Sequence, residues 1–216
     1  MPSPTVHGTG KAQEPILPCL PPNGSDDRIP RISKETLLAV LDGQYSDRIS
    51  QQRIVDCRFD YEYDGGHIDG AVKLNNQLLF VNNLFNSPID GKVILVFYCE
   101  YSVLRAPKLA QYVRSRDRTR NIEEYPNLTY PDVYVLDGGY SAFFPKYQDR
   151  CSPPYYITMK NKQHSRARRQ GLERLRARRG HIRYFNIDNA TREAKRDQLP
   201  DNLEHHHQTN TEQEMQ

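Results

Sequence analysis

Cys99 and Arg105 are the residues whose types and spacing most directly imply chemistry. Between them lie Glu100, Tyr101, Ser102, Val103 and Leu104. An apolar run, Val93 to Tyr98, precedes them, and a helical pattern with Leu109, Ala110 and Val113 follows. A loop from a strand into a helix N-terminus can wrap successive backbone N–H groups around a tetrahedral anion. The same donors favour a thiolate, which would make Cys99 a nucleophile. Arg105 offers a planar fork for two phosphate oxygens and for charge in the transition state. Pro107 removes a donor that the first helical turn does not need. The implied reaction is phosphoryl transfer through a phosphocysteine. The competing reading is an inert buried cysteine followed by a surface arginine at a helix start; the flanking strand and helix favour the chemical one.

The elements that would hold this loop are legible from hydropathy. Three short apolar runs, Arg53–Cys57, Lys92–Tyr98 and Val133–Leu136, are continuous rather than alternating, as in strands buried on both faces. Helical stretches lie between them, which predicts an α/β fold with a central, mostly parallel sheet and a site where a strand runs into its loop. Ser33 is placed to cap a helix carrying Leu37, Leu38, Val40 and Leu41, with Gly43 as its stop. Gly138-Gly139 predicts a tight turn after a strand, and Tyr140, Phe143 and Phe144 predict core packing on the following helix.

Three ordered blocks, Val55–Leu74 (VDCRFDYEYDGGHIDGAVKL), Tyr98–Pro107 (YCEYSVLRAP) and Val135–Phe144 (VLDGGYSAFF), resemble signatures of the M-phase inducer phosphatases. The resemblance covers roughly residues 28–160. It implies a rhodanese-like fold and a dual-specificity protein phosphatase that dephosphorylates adjacent Thr and Tyr of a cyclin-dependent kinase and promotes mitotic entry. It also implies that Cys99 is the nucleophile, Arg105 the phosphate-binding arginine, residues 99–105 the cradle, and Glu100 a further catalytic residue. Cys57 falls where the family carries a second cysteine able to form a disulfide with the nucleophile. His67 and the Arg58–Glu62 pair are read as fold-supporting groups.

This chain departs from the family inside the loop. Tyr98 stands where the family usually has His, Leu104 where it has Glu, and Ala106 where it has Gly. Tyrosine is not a cation near neutral pH, so thiolate stabilisation owed to imidazole is reduced. Leu104 removes a carboxylate considered for leaving-group protonation, help commonly worth about 10²–10⁴-fold. Ala106 restricts the backbone only if that position needs a positive φ. The alternatives are therefore a weakly active or inactive phosphate-binding protein, or an arsenate reductase of the same fold. A sulfurtransferase loop is typically one residue shorter, so five intervening residues favour phosphate.

Composition bounds the remainder. The 216 residues carry a net charge of +3, but Lys160–Arg179 holds nine basic residues against Glu173, a net +8 that leaves −5 elsewhere. Hydrophobic residues make up 37%, below the roughly 45–50% usual for globular domains, so part of the chain should lie outside the core. The expected organisation is a flexible, proline-rich leader over 1–25, a rhodanese-like phosphatase domain over 26–160, and a basic helix with a polar disordered tail over 161–216. No apolar run approaches the length of a membrane span, no secretory signal is legible, and four scattered cysteines do not make a disulfide scaffold. Cofactors, a physiological metal and nucleic acid are not expected, and a monomer in nucleus and cytoplasm is. The family resemblance implies a phosphorylated cyclin-dependent kinase with its cyclin as the partner and a C-terminal segment that helps dock it; Arg166, Arg168 and Arg169 are then the expected docking cations, remote from the active site, with a nuclear-localisation element as the alternative reading of the run.

Overall fold

The computed structural model describes residues 14–21 and 29–176. The expectations for the rest of the leader, for Arg178 and Arg179 and for the polar tail lie outside the described residues. Two compact units divide at Arg168/Arg169, eight residues beyond the expected domain end.

The first unit holds β1 (Arg31–Ile32), α1 (Lys34–Leu41), β2 (Gln51–Asp56), α2 (Asp60–Asp64), β3 (His67–Ile68), β4 (Val72–Lys73) and α3 (Gln77–Asn86). There follow β5 (Val93–Tyr98), α4 (Arg105–Arg120), β6 (Asp132–Leu136), α5 (Gly139–Phe143) and β7 (Cys151–Ser152). The five-stranded sheet runs β1-β6-β5-β2-β4, and all of its pairings are parallel. β3 and β7 form a separate antiparallel pair. The predicted strands and α1 are present. Ser33 caps α1 by accepting from the Thr36 N–H, and Gly43 takes a φ of +74° just beyond its end.

Every residue of β5 is buried, as expected for a central parallel strand covered on both faces. Alternation divides it between two cores. Val93, Leu95, Phe97 and Cys99 pack with Val55, Cys57, Leu109 and Val113. Ile94, Val96 and Tyr98 pack with Leu37, Tyr134, Tyr140 and Phe143 on the other face.

The leader differs from expectation over 14–21. Ile16 and Leu17 are buried, the Ile16 N–H donates to Asp132 Oδ1 (2.9 Å), and the Leu20 N–H donates to the Arg31 carbonyl (2.8 Å). Two adjacent apolar side chains among the prolines find the open edge beside β1, and burying them offsets the ordering of a short segment already stiffened by proline. Within the basic run, residues 165–176 are helical, here α6, with Arg166 and Arg169 exposed and Arg168 half-buried.

Candidate active site

Cys99 follows the last residue of β5, and Arg105 opens α4, so strand, loop and helix fall as the spacing requires. The loop closes on itself with alternating exposure. Cys99, Glu100, Ser102 and Arg105 are buried, while Tyr101, Val103 and Leu104 are exposed. Ser102 takes a φ of 52°, the left-handed region, and its Oγ accepts from the Cys99 N–H at 3.4 Å.

The Gly138-Gly139 turn presses on this loop from outside. The Tyr140 N–H donates to the Cys99 carbonyl (3.0 Å) and the Ser141 N–H to the Glu100 carbonyl (2.9 Å). A Cβ on Gly139, whose φ is +59°, would lie 2.3 Å from the Cys99 carbonyl oxygen. Glycine is needed there for close approach as well as for φ.

Two buried ion pairs replace the single expected one. Arg58 does not meet Glu62; it grips Asp56 through Nε (3.0 Å) and Nη2 (2.7 Å) and lies 3.9 Å from the centre of the Tyr140 ring. Glu62, fully buried, receives Arg105 through Nη1–Oε2 (2.5 Å) and Nη2–Oε1 (3.0 Å). Its Oε2 also accepts from the Phe59 N–H (2.9 Å), and the Phe59 ring lies 4.9 Å from the Arg105 guanidinium carbon. Sequence proximity suggested the local pair. The register instead places Arg58 back over the end of β2 and leaves Glu62 facing the loop. Glu62 is thus a site residue that sequence reading missed, and the requirement of a buried carboxylate for a buried guanidinium is the signal that could have found it.

Glu100 is engaged by the segment after β7. It is buried, and its Oε1 accepts from the Tyr156 hydroxyl (3.0 Å) and the Met159 N–H (3.3 Å), tying the segment after β7 to the loop. Cys57 does stand beside Cys99. β2 and β5 pair Asp56 with Tyr98, and the Cys57 N–H donates to the Tyr98 carbonyl (2.8 Å), so the two cysteines leave neighbouring strand ends in one core. Burial, then the Cys99 and Asp56 charges, pushes the Cys57 thiol well above its ordinary pKa. The two thiols are free.

The departures at 98 and 106 resolve geometrically. Tyr98 and Cys99 belong to opposite cores, and the Tyr98 hydroxyl accepts from the Ile68 N–H (3.2 Å). Burial, then Asp56, raises its pKa well above 10, so it is a neutral structural group. Ala106 is buried in the first turn of α4 and is not among the positive-φ residues, so it needs no glycine. His67 stacks on Tyr63 (3.8 Å between centroids) with Nδ1 3.0 Å from the Tyr63 carbonyl, a structural position as expected. Within α2, Tyr61 stacks on His164 (4.6 Å), just before α6, and the Arg168 charge reaches Tyr61, so the start of α6 lies next to the helix that supplies Glu62.

Residues 41–146 match the rhodanese-like domain. The chain is 45% identical over 162 residues to the M-phase inducer phosphatase of Emericella nidulans, covering 75% of this chain and 29% of that protein. It is 47% identical over 140 residues to M-phase inducer phosphatase 1 of Homo sapiens, covering 63% and 26%. Among solved structures it is similar to the As-Sb reductase from Leishmania major, with 28% identity, a TM-score of 0.43, and coverage of 55% of this chain and 79% of that one. The fold and loop therefore define a rhodanese-like domain. Within that fold the chain is similar to these M-phase inducer phosphatases over the matched residues. It spans less than a third of the length of these two relatives.

Proposed function

We propose that this chain is a protein phosphatase with Tyr and Thr/Tyr dual specificity, acting through a phosphocysteine. The carrying observation is that Cys99 stands at the end of a buried strand, inside a loop whose carbonyls are bonded from outside, with the Arg105 fork opening the next helix. The Cys99 thiolate attacks phosphorus as the ester P–O bond breaks. The leaving oxygen takes its proton from the substrate's phosphate monoanion or from solvent, since Glu100 and Glu62 are both engaged. Water then attacks the phosphocysteine, the P–S bond breaks, and inorganic phosphate leaves with the thiolate restored.

The substrate is a Thr/Tyr-phosphorylated cyclin-dependent kinase with its cyclin, whose activation promotes mitotic entry, a reading supported by the names of the relatives. Arg166, Arg168 and Arg169 supply cations for an acidic kinase surface. Cys57 is the redox partner: peroxide converts Cys99 to a sulfenic acid, the Cys57 sulfur displaces its hydroxyl, and a disulfide and water result.

The experiment is turnover of a bisphosphorylated cyclin-dependent kinase–cyclin complex by wild type and Cys99→Ser. Release of phosphate by wild type alone supports the reading. Stable binding by both without release replaces it with a phosphate-binding protein.

A further inference from the structure

A phosphate loop binds its anion only if its N–H groups point inward, and in a planar trans peptide the N–H points opposite the carbonyl of the preceding residue. The Cys99 and Glu100 carbonyls are turned outward by α5, which aims the N–H groups of Glu100 and Tyr101 inward. Ser102 is the difficult residue. It is buried, non-glycine and at φ 52°, a conformation that persists only when its surroundings over-determine it. What holds it comes from 71 residues upstream: Nη2 of Arg31 donates to the Ser102 carbonyl at 3.0 Å.

Arg31 is itself held. Its Nη1 lies 3.4 Å from Asp137 Oδ1, just past the end of β6, and β1 pairs with β6 by aligning Arg31 with Val135. Its carbonyl accepts from the Leu20 N–H (2.8 Å). The guanidinium thus reaches the outer side of the loop from the edge strand, on a backbone fixed on two sides. Its charge shortens and strengthens the bond to a carbonyl.

We infer that Arg31 is a positioning residue for the phosphate loop: by fixing the Ser102 carbonyl outward it holds the Val103 N–H toward the bound oxyanion. The inference rests on the phosphatase reading of the loop and extends it to a residue outside all three signature blocks. It assigns Arg31 no contact with substrate.

Tungstate, an oxyanion of phosphate shape, titrated calorimetrically into the full chain reads the cradle directly. Arg31→Met should raise the tungstate Kd roughly 10- to 100-fold, the effect of one charged hydrogen bond, and lower kcat/KM for an aryl phosphate in parallel. Arg31→Lys, which keeps the cation, should recover most of both. Tungstate affinity in Arg31→Met within twofold of wild type overturns the inference. So does an Arg31→Lys variant no better than Arg31→Met. Should Arg31→Met fail to fold, Arg31→Gln is judged by the same twofold criterion. Arg31-dependent tungstate binding in a wild type that never turns over the aryl phosphate sinks the phosphatase reading and leaves the positioning role standing.

Discussion

Arg105 and Glu62 meet fork to fork, Nη1 2.5 Å from Oε2 and Nη2 3.0 Å from Oε1, with the carboxylate wholly out of solvent. In the proposed reaction the guanidinium that receives phosphate is therefore oriented before any substrate arrives, by a residue of α2 rather than by the loop. Pre-orientation of this kind makes the arginine worth more in the transition state than a mobile cation would be.

Glu62→Gln keeps the shape and removes the charge. Losing one partner of a buried pair typically costs about 3–5 kcal/mol, so a loss on the order of 3 kcal/mol is expected from urea melts. Turnover should fall with it, because the fork loses its reference. Unchanged turnover would show that Arg105 orients without Glu62.

Gly139→Ala would place its Cβ 2.3 Å from the Cys99 carbonyl oxygen, 2.8 Å from that of Glu100 and 2.9 Å from the Ser102 nitrogen, all backbone atoms. The loop must move, and a stability loss on the order of 3 kcal/mol with at least about tenfold weaker tungstate binding follows. Gly43→Ala has a similar φ, +74°, but nothing within 4 Å of its Cβ. It should cost about 1 kcal/mol and leave turnover intact.

Leu104 is exposed at the end of the loop, and the loop's remaining carboxylate, Glu100, is committed to Tyr156 and Met159. kcat/KM should therefore fall steeply as the leaving group becomes more basic. Leu104→Glu should raise turnover of alkyl phosphates by roughly 10- to 100-fold while barely changing good aryl leaving groups. Equal effects on both would place proton delivery elsewhere.

Cys57 stays a neutral thiol because burial and its charged neighbours disfavour its thiolate. After peroxide, wild type should recover activity on thiol reduction and show a Cys57–Cys99 bridge by mass spectrometry. Cys57→Ser should instead accumulate irreversible Cys99 sulfinic acid. A bridge-free wild type that nevertheless recovers would refute the pairing.

Buried tyrosines make the fold sensitive to alkali. Burial pushes Tyr61 up to about 12 and also raises Tyr98, Tyr134, Tyr140 and Tyr156. Unfolded tyrosines ionise near pH 10, so above that pH the native state holds more protons than the unfolded one and stability falls as pH rises. The slope should be on the order of 1 kcal/mol per pH unit for each group that remains protonated, less for partly exposed ones. Urea melts at pH 8 to 11, with phenolate absorbance followed in parallel, measure it.

Local chemistry made much of this protein readable without coordinates. Continuous apolar runs defined β2, β5 and β6, Ser33 defined the start of α1, and Cys99 and Arg105 fell on the strand-to-helix loop their spacing called for, since each depends on neighbours a few residues away. Strands of two residues, β1 and β4, left no periodicity to detect. Tertiary structure decided who meets whom. Strand alternation sent Tyr98 and Cys99 to opposite cores, parallel register brought Cys57 beside Cys99, and long-range packing gave Arg105 to Glu62 and the Ser102 carbonyl to Arg31. A charged side chain must be paired when buried, but its sequence does not say with which partner; that choice belongs to the sheet order.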